Sequence, residues 1–171
     1  MMRSRRTKQA GFMSIDALLW TIFAVVVLGF IAYAGFKALG GTDSTVELSN
    51  ITTIMSNTKQ LKSRAGYGAS GTNLIPSLIA IDGTGNMGVS GSTVTNQWNG
   101  AVTSVSNGMT YTLTITNVPK SACISLATKV AKDNQTTTTI NGGSAISGEV
   151  LTAAATTSCS GATNTLAWTA Y

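Results

Sequence analysis

From Ala17 to Phe36 the chain reads ALLWTIFAVVVLGFIAYAGF, without a single charged side chain. As an α-helix rising about 1.5 Å per residue, such a stretch is roughly 30 Å long, which matches the hydrocarbon core of a bilayer. No other feature narrows the possible folds as far. A helix apolar on every side is excluded from the surface of a water-soluble domain, so it needs lipid or an equally apolar surround. Arg3, Arg5, Arg6 and Lys8 precede it and Lys37 alone follows. That asymmetry predicts a cytoplasmic N-terminus and an exported body. A secretory signal peptide has a shorter apolar core, although Ala38, Gly40 and Gly41 loosely mimic its cleavage site.

The formal net charge of +5 is an effect of those leading residues. Four of the eleven Lys and Arg lie before Gly11, whereas all six Asp and Glu lie after it. The remainder is close to neutral and carries no basic stripe interleaved with aromatics, so no direct nucleic-acid binding is expected. Only 10% of residues are charged, and the body is dominated by Thr, Ser, Gly and Asn, a pattern of exported β-rich domains with solvated hydroxyl faces. The two cysteines, Cys123 and Cys159, read as one disulfide in an exported domain, with two buried thiols as the alternative.

A plain single-pass anchor accounts for the apolar stretch but not for Asp16 at its edge. At the centre of a membrane helix an Asp costs on the order of 2.5–3.5 kcal/mol, and less towards the interface. One account is helix capping by Ser14 or Asp16; the other is a carboxylate awaiting a cation. Lys8-Gln9-Ala10-Gly11 followed by Phe12-Met13-Ser14-Ile15-Asp16 resembles the class III signal peptide of type IV pilins and pseudopilins. The resemblance implies that prepilin peptidase cuts between Gly11 and Phe12, that Phe12 is N-methylated, and that Asp16 is the register-setting carboxylate of assembly. A glycine at the cut lets the backbone enter a protease closely. Asp16 departs from the usual Glu of that position by one methylene.

Beyond the apolar stretch, Leu48, Ile51, Met55, Thr58, Leu61 and Ala65 recur at spacings of three and four, which predicts one amphipathic helical stripe. Lys59, Lys62 and Arg64 suit a helix C-terminus, and Gly66, Gly68 and Gly71 stop the helix. Gly40-Gly41, with Thr42 or Asp43 as a cap, suggests a bend. Asp43 and Glu47 are expected to be solvated or capping. Residues 66–97 read as a Gly/Ser/Thr-rich connection with a short helix near Pro76. Ala101 to Val105 and Met109 to Val118 read as a hairpin closed at Asn107-Gly108. Lys120 to Lys132 read as a helix with Ala122, Cys123, Leu126, Ala127 and Val130 on one face, and Thr165 to Thr169 as a last strand.

The stretches Asn73-Leu74-Ile75-Pro76, Gln97-Trp98-Asn99-Gly100-Ala101-Val102 and Asn117-Val118-Pro119-Lys120-Ser121-Ala122-Cys123 resemble the PilS group of type IVb pilins. That resemblance implies an α+β pilin fold. In it, a long N-terminal helix, transmembrane in its first half, packs on an antiparallel sheet, and a disulfide bounds a C-terminal D-region. The parts would be a leader (1–11), an apolar half-helix (12–40), an amphipathic half-helix (41–65) and a head (66–171). The implied role is the major subunit of an extracellular filament for adhesion, aggregation or mating-pair contact. Its partners would be identical subunits, prepilin peptidase, an assembly platform and, before assembly, the inner membrane of a Gram-negative cell. A minor pilin or type II secretion pseudopilin is the nearest alternative, and a monomeric tethered periplasmic binding domain the alternative of another class.

No enzyme is expected. The chain has no His, which excludes Ser-His and Cys-His catalysis and imidazole metal sites. No catalytic, cofactor-binding or metal-binding residues are assigned. Gly83-Thr84-Gly85-Asn86-Met87-Gly88 spells GxGxxG without a strand–helix unit around it and reads as loop.

Overall fold

A computed structural model describes the backbone of residues 15–171, with side chains at 22–29 and 43–171. Helix α1 is Ile15–Gln60. It is followed by α2 (Ile75–Ala80), β1 (Gly88–Ser90), β2 (Thr93–Thr95), β3 (Ala101–Ser106) and β4 (Tyr111–Pro119). Then come α3 (Lys120–Lys129), β5 (Thr137–Ile140), β6 (Ile146–Ser147), α4 (Thr152–Ser158) and β7 (Thr163–Ala170). Contacts divide the chain into Met1–Gly40 and Gly41–Tyr171. In the first unit Ile22, Val25, Val26 and Leu28 are exposed. Among the described residues no helix is long and apolar enough to cross a membrane; the predicted span from Ala17 to Phe36 lies largely outside the described side chains.

The second unit is an α+β head built on one seven-stranded sheet, ordered β1-β2-β3-β4-β7-β5-β6, with every neighbouring pair antiparallel. The last strand lies between β4 and β5, so the chain leaves β4 through α3, lays down β5 and β6 at the far edge, and returns through α4 to insert β7 between them and β4. Alternation along β4 and β7 sorts the faces. Tyr111, Leu113 and Ile115 of β4 and Leu166, Trp168 and Ala170 of β7 are buried. The intervening Thr112, Thr114 and Thr169 are only half-buried, and Thr112 and Thr169 share a hydroxyl hydrogen bond of 2.8 Å. The hydroxyl face foreseen from composition is therefore the outer face of the central strands.

Register explains how the core closes. Leu113 pairs with Trp168, which pairs with Thr138; all three are fully buried. Between Ile115 and Val118 the β4–β7 register shifts at Asn117, whose φ of 58° is left-handed. Such a bulge re-aims the strand, and Val118 again points into the core. Asn tolerates that conformation better than most residues.

Two expectations need correcting. α1 ends at Gln60, so Leu61 and Ala65 are not helical, and its buried stripe is Glu47, Asn50, Ile51, Ile54, Met55 and Thr58. Ile51, Met55 and Thr58 are on the stripe as expected and Leu48 packs against its edge, but polar Glu47 and Asn50 widen it at positions that an apolar count passes over. Within the 66–97 connection, β1 and β2 form a short hairpin. Its three-residue strands are mostly exposed and give no hydrophobic alternation to read.

Candidate functional site

The sites foreseen in the sequence fall in different parts of the chain. Gly11 and Phe12 lie outside the described residues; Asp16 lies within α1, its side chain outside them. Cys123 and Cys159 are joined in a disulfide with Cα atoms 6.0 Å apart, and both are fully buried. Cys123 is on α3, beside the buried Ala122, Leu126 and Ala127. Cys159 is the C-cap of α4, its N–H bonded to the Ala155 carbonyl. Pro119 closes β4 and adjoins α3, where its missing N–H leaves no extra orphan donor at the helix start.

The segment between the cysteines contains β5, β6 and α4, and two buried or turn-forming asparagines fasten it. Asn164 donates to the Val118 and Gly161 carbonyls at 3.2 and 3.0 Å. Asn141, at φ 51°, donates to the Ser158 carbonyl and to Asn164 Oδ1, both at 2.9 Å, and accepts from the Thr165 N–H at 2.8 Å. The turn at Asn141-Gly142-Gly143 thus holds the segment between the cysteines against β7.

A second set of contacts lies along α1. Asn57 donates to the Gly83 carbonyl at 3.0 Å, Asn50 accepts from the Asn86 N–H at 3.1 Å, and Glu47 accepts from the Gln97 N–H at 3.4 Å. Together they hold the 83–97 stretch onto one side of the helix. Glu47 is fully buried, which corrects the expectation that it is solvated or capping. Burial pushes its carboxyl above the ordinary carboxylate value, against opposing contributions from the Gln97 N–H and the Asn50 amide. Charge type alone concealed it; its position four residues before Ile51, in phase with the buried stripe, was the available signal.

The turn that offers the Gln97 N–H is rigid. Asn96 Oδ1 accepts from the N–H groups of Trp98 and Gly100 at 3.0 and 2.7 Å, while its Nδ2 donates to the Thr116 carbonyl at 2.7 Å. Gly100 has to be glycine for a reason of space, since a Cβ there would collide with the Thr116 carbonyl oxygen. The Trp98-Asn99-Gly100 turn is therefore a fixed corner of the head.

Near the C-terminal end of α1, Tyr111 donates to the Met55 carbonyl at 3.1 Å, and its ring meets Tyr67 edge-on at 5.1 Å. Burial pushes both phenols upward, with Tyr67 adding to the effect on Tyr111. Lys62 lies over the rings of Tyr67 and Tyr171, 5.5 and 5.2 Å from their centroids. Beside this region a cleft of about 240 Å³ lies between Thr52, Met55, Ser56 and Lys59 of α1 and Val130, Asp133 and Thr136. Asp133 is held below the ordinary carboxylate value mainly by hydrogen bonds from Thr136. No group of three or more metal-ligating side chains occurs among the described residues. These contacts brace the head on α1.

A family model described as PilS N terminal matches residues 42–171. No curated protein matches the chain.

Proposed function

The chain belongs to the PilS family of type IV pilins, and from that premise we propose that it is the major subunit of a type IVb pilus. A pilin is a structural protein whose identical copies assemble into the pilus. The observation that carries the reading is the family match, which covers the whole head, joined to the basic leader and apolar segment that precede it.

The path of the chain follows from its chemistry. The precursor sits in the inner membrane, N-terminus cytoplasmic and head periplasmic, as its flanking charges require. Prepilin peptidase cuts between Gly11 and Phe12, and Phe12 is N-methylated. The new cationic amine lies four residues before Asp16, close enough along the sequence for such carboxylates to set subunit register. Exposed Ile22, Val25, Val26 and Leu28 support an apolar surround for α1, lipid first and neighbouring helices in the filament afterwards. Burying apolar surface at about 25 cal/mol per Å² favours that exchange once an assembly platform extracts the subunit. The head's Cys123–Cys159 disulfide supports a pilin over a pseudopilin. Adhesion, aggregation and mating-pair contact are the roles open to such a filament.

Mass spectrometry of filaments sheared from cells tests this. The subunit is expected to begin at N-methylated Phe12. Recovery of chain beginning only at Met1 or Met2 would refute it. Asp16→Ala is expected to leave cleavage intact while lowering filament yield; undiminished pili would remove the assembly role of that carboxylate.

A further inference from the structure

A carboxylate buried without a cation is costly, because the interior of a protein does not solvate charge. Glu47 is such a group. Its side chain has no exposed surface; Oε2 receives one long hydrogen bond, 3.4 Å from the Gln97 nitrogen, and Oε1 receives none. Asn50, one turn later on α1, is nearly as buried, and its Nδ2 completes no hydrogen bond of ordinary geometry, although the amide favours the ionised carboxyl. Two adjacent unsatisfied polar atoms in an otherwise well-bonded contact set are unusual enough to require an explanation.

The charges around it offer no neutralisation. On α1 the nearest titratable neighbour towards the N-terminus is Asp43, one turn back and itself acidic. From Gly83 through Pro119, which includes β1 to β4 and the turn that covers Glu47, there is no Asp, Glu, Lys, Arg or His. Lys59 lies about three turns further along α1, and Lys62 just beyond its end. Among the described residues no charge contributes to the upward displacement of the Glu47 carboxyl; burial causes it, and the Gln97 N–H and the Asn50 amide oppose it.

We propose that Glu47 is a proton-operated latch between α1 and the β1–β2 segment, closed when its carboxyl is neutral and loosened when it ionises. A neutral carboxyl is tolerated in this site, whereas a carboxylate draws water towards Oε1. The Gln97–Gly100 turn cannot yield, because Asn96 holds it from both sides and Gly100 is wedged against Thr116. The strain of ionisation therefore falls on the contacts to α1, which are Glu47 with Gln97, Asn50 with Asn86 and Asn57 with Gly83. β1 is the sheet's outer strand with all three residues exposed, so apart from buried Met87 and Val94 and the short β2–β3 pairing it is these contacts that hold the segment down. The sign is fixed by linkage. A folded-state value above the unfolded one gives stabilisation that is complete below the unfolded value and is lost as pH rises through the folded one. The segment is thus tighter in acid than in base, and a filament head would present a looser β1–β2 edge in alkaline surroundings.

Hydrogen exchange of the full-length chain in a neutral detergent tests the latch, read as protection factors corrected for intrinsic pH dependence. Protection of the Gln97 and Asn86 amides is expected to fall as pH rises through and above the ordinary carboxylate range, by about tenfold for each unit that the Glu47 carboxyl is raised in the folded chain. In Glu47→Gln, which keeps the shape and cannot ionise, the same protection is expected to stay high and flat. Protection independent of pH in the native chain, or an unchanged pH dependence in Glu47→Gln, overturns the proposal. Should the variant fail to fold, the carboxyl carbon of Glu47 in the native chain decides by NMR. Titration above the ordinary range supports the latch, and titration within it overturns the latch.

Discussion

Removing the disulfide is the perturbation whose size follows most directly from the structure. Replacing Cys123 and Cys159 by Ala opens a loop closed across a sequence separation of 36. In the chain-entropy account, closure of a loop that long in the unfolded chain is worth about 4 kcal/mol at room temperature. Both cysteines are fully buried, and Cys123 is packed among Ala122, Leu126 and Ala127, so loss of two sulfur atoms adds about 1 kcal/mol of packing. For a head of this size, about 5 kcal/mol corresponds to a melting temperature lower by roughly 10–20 °C. The structure also says where the loss falls. The bridge links α3 to the end of α4, and β5 and β6 lie between them in sequence, whereas β3 and β4 lie outside the loop. Thermal unfolding of the full-length double variant in detergent measures the total, and hydrogen exchange measures its distribution. Exchange is expected to rise most in β5, β6 and α4. A melting temperature lowered by only one or two degrees, or a rise shared evenly with β3 and β4, would refute the reasoning.

Gly100→Ala is expected to destabilise the head by about 1–3 kcal/mol, since the added Cβ meets the Thr116 carbonyl in a corner that Asn96 prevents from moving; denaturant unfolding measures it. Tyr111→Phe removes the hydrogen bond to the Met55 carbonyl and is expected to cost about 1 kcal/mol with the ring packing against Tyr67 retained, read by the same unfolding midpoint. Thr136→Val removes the hydroxyl that most lowers the Asp133 carboxyl. A depressed folded value gives stabilisation that is present above the unfolded value and lost as pH falls, so this variant is expected to show less acid destabilisation and an Asp133 carboxyl titrating at higher pH by NMR.

Much of the head was legible because its signals are local. Tyr111 to Thr116 alternate by burial as the sequence alternates, Pro119 marks the passage from strand to helix, and Asn107-Gly108 lies in the β3–β4 loop with Gly108 at φ 86°. The helix around Pro76 and the one carrying Cys123 also occur where pattern placed them. What escaped notice had no local pattern. Helix α4 is Thr- and Ala-rich with one fully buried residue, Ala155, and β1 and β2 are three residues each. Strand order was likewise beyond reach, because the place of β7 between β4 and β5 is a long-range pairing that no window of sequence contains.

The sequence by itself determined the apolar segment, the direction of its flanking charge, the presence of a disulfide-capable pair and the family of the chain. Each is a property of residue type and spacing, and survives without coordinates. Tertiary structure alone decided that β7 lies between β4 and β5 and that Asn96 and Gly100 form a fixed corner. It also decided that Glu47 is an interior residue. The physical reason is the same in all three. Burial, hydrogen-bond partnership and close approach depend on what the rest of the chain brings alongside. A glutamate on a helix reads as solvated until a charge-free turn fifty residues later in the chain covers it.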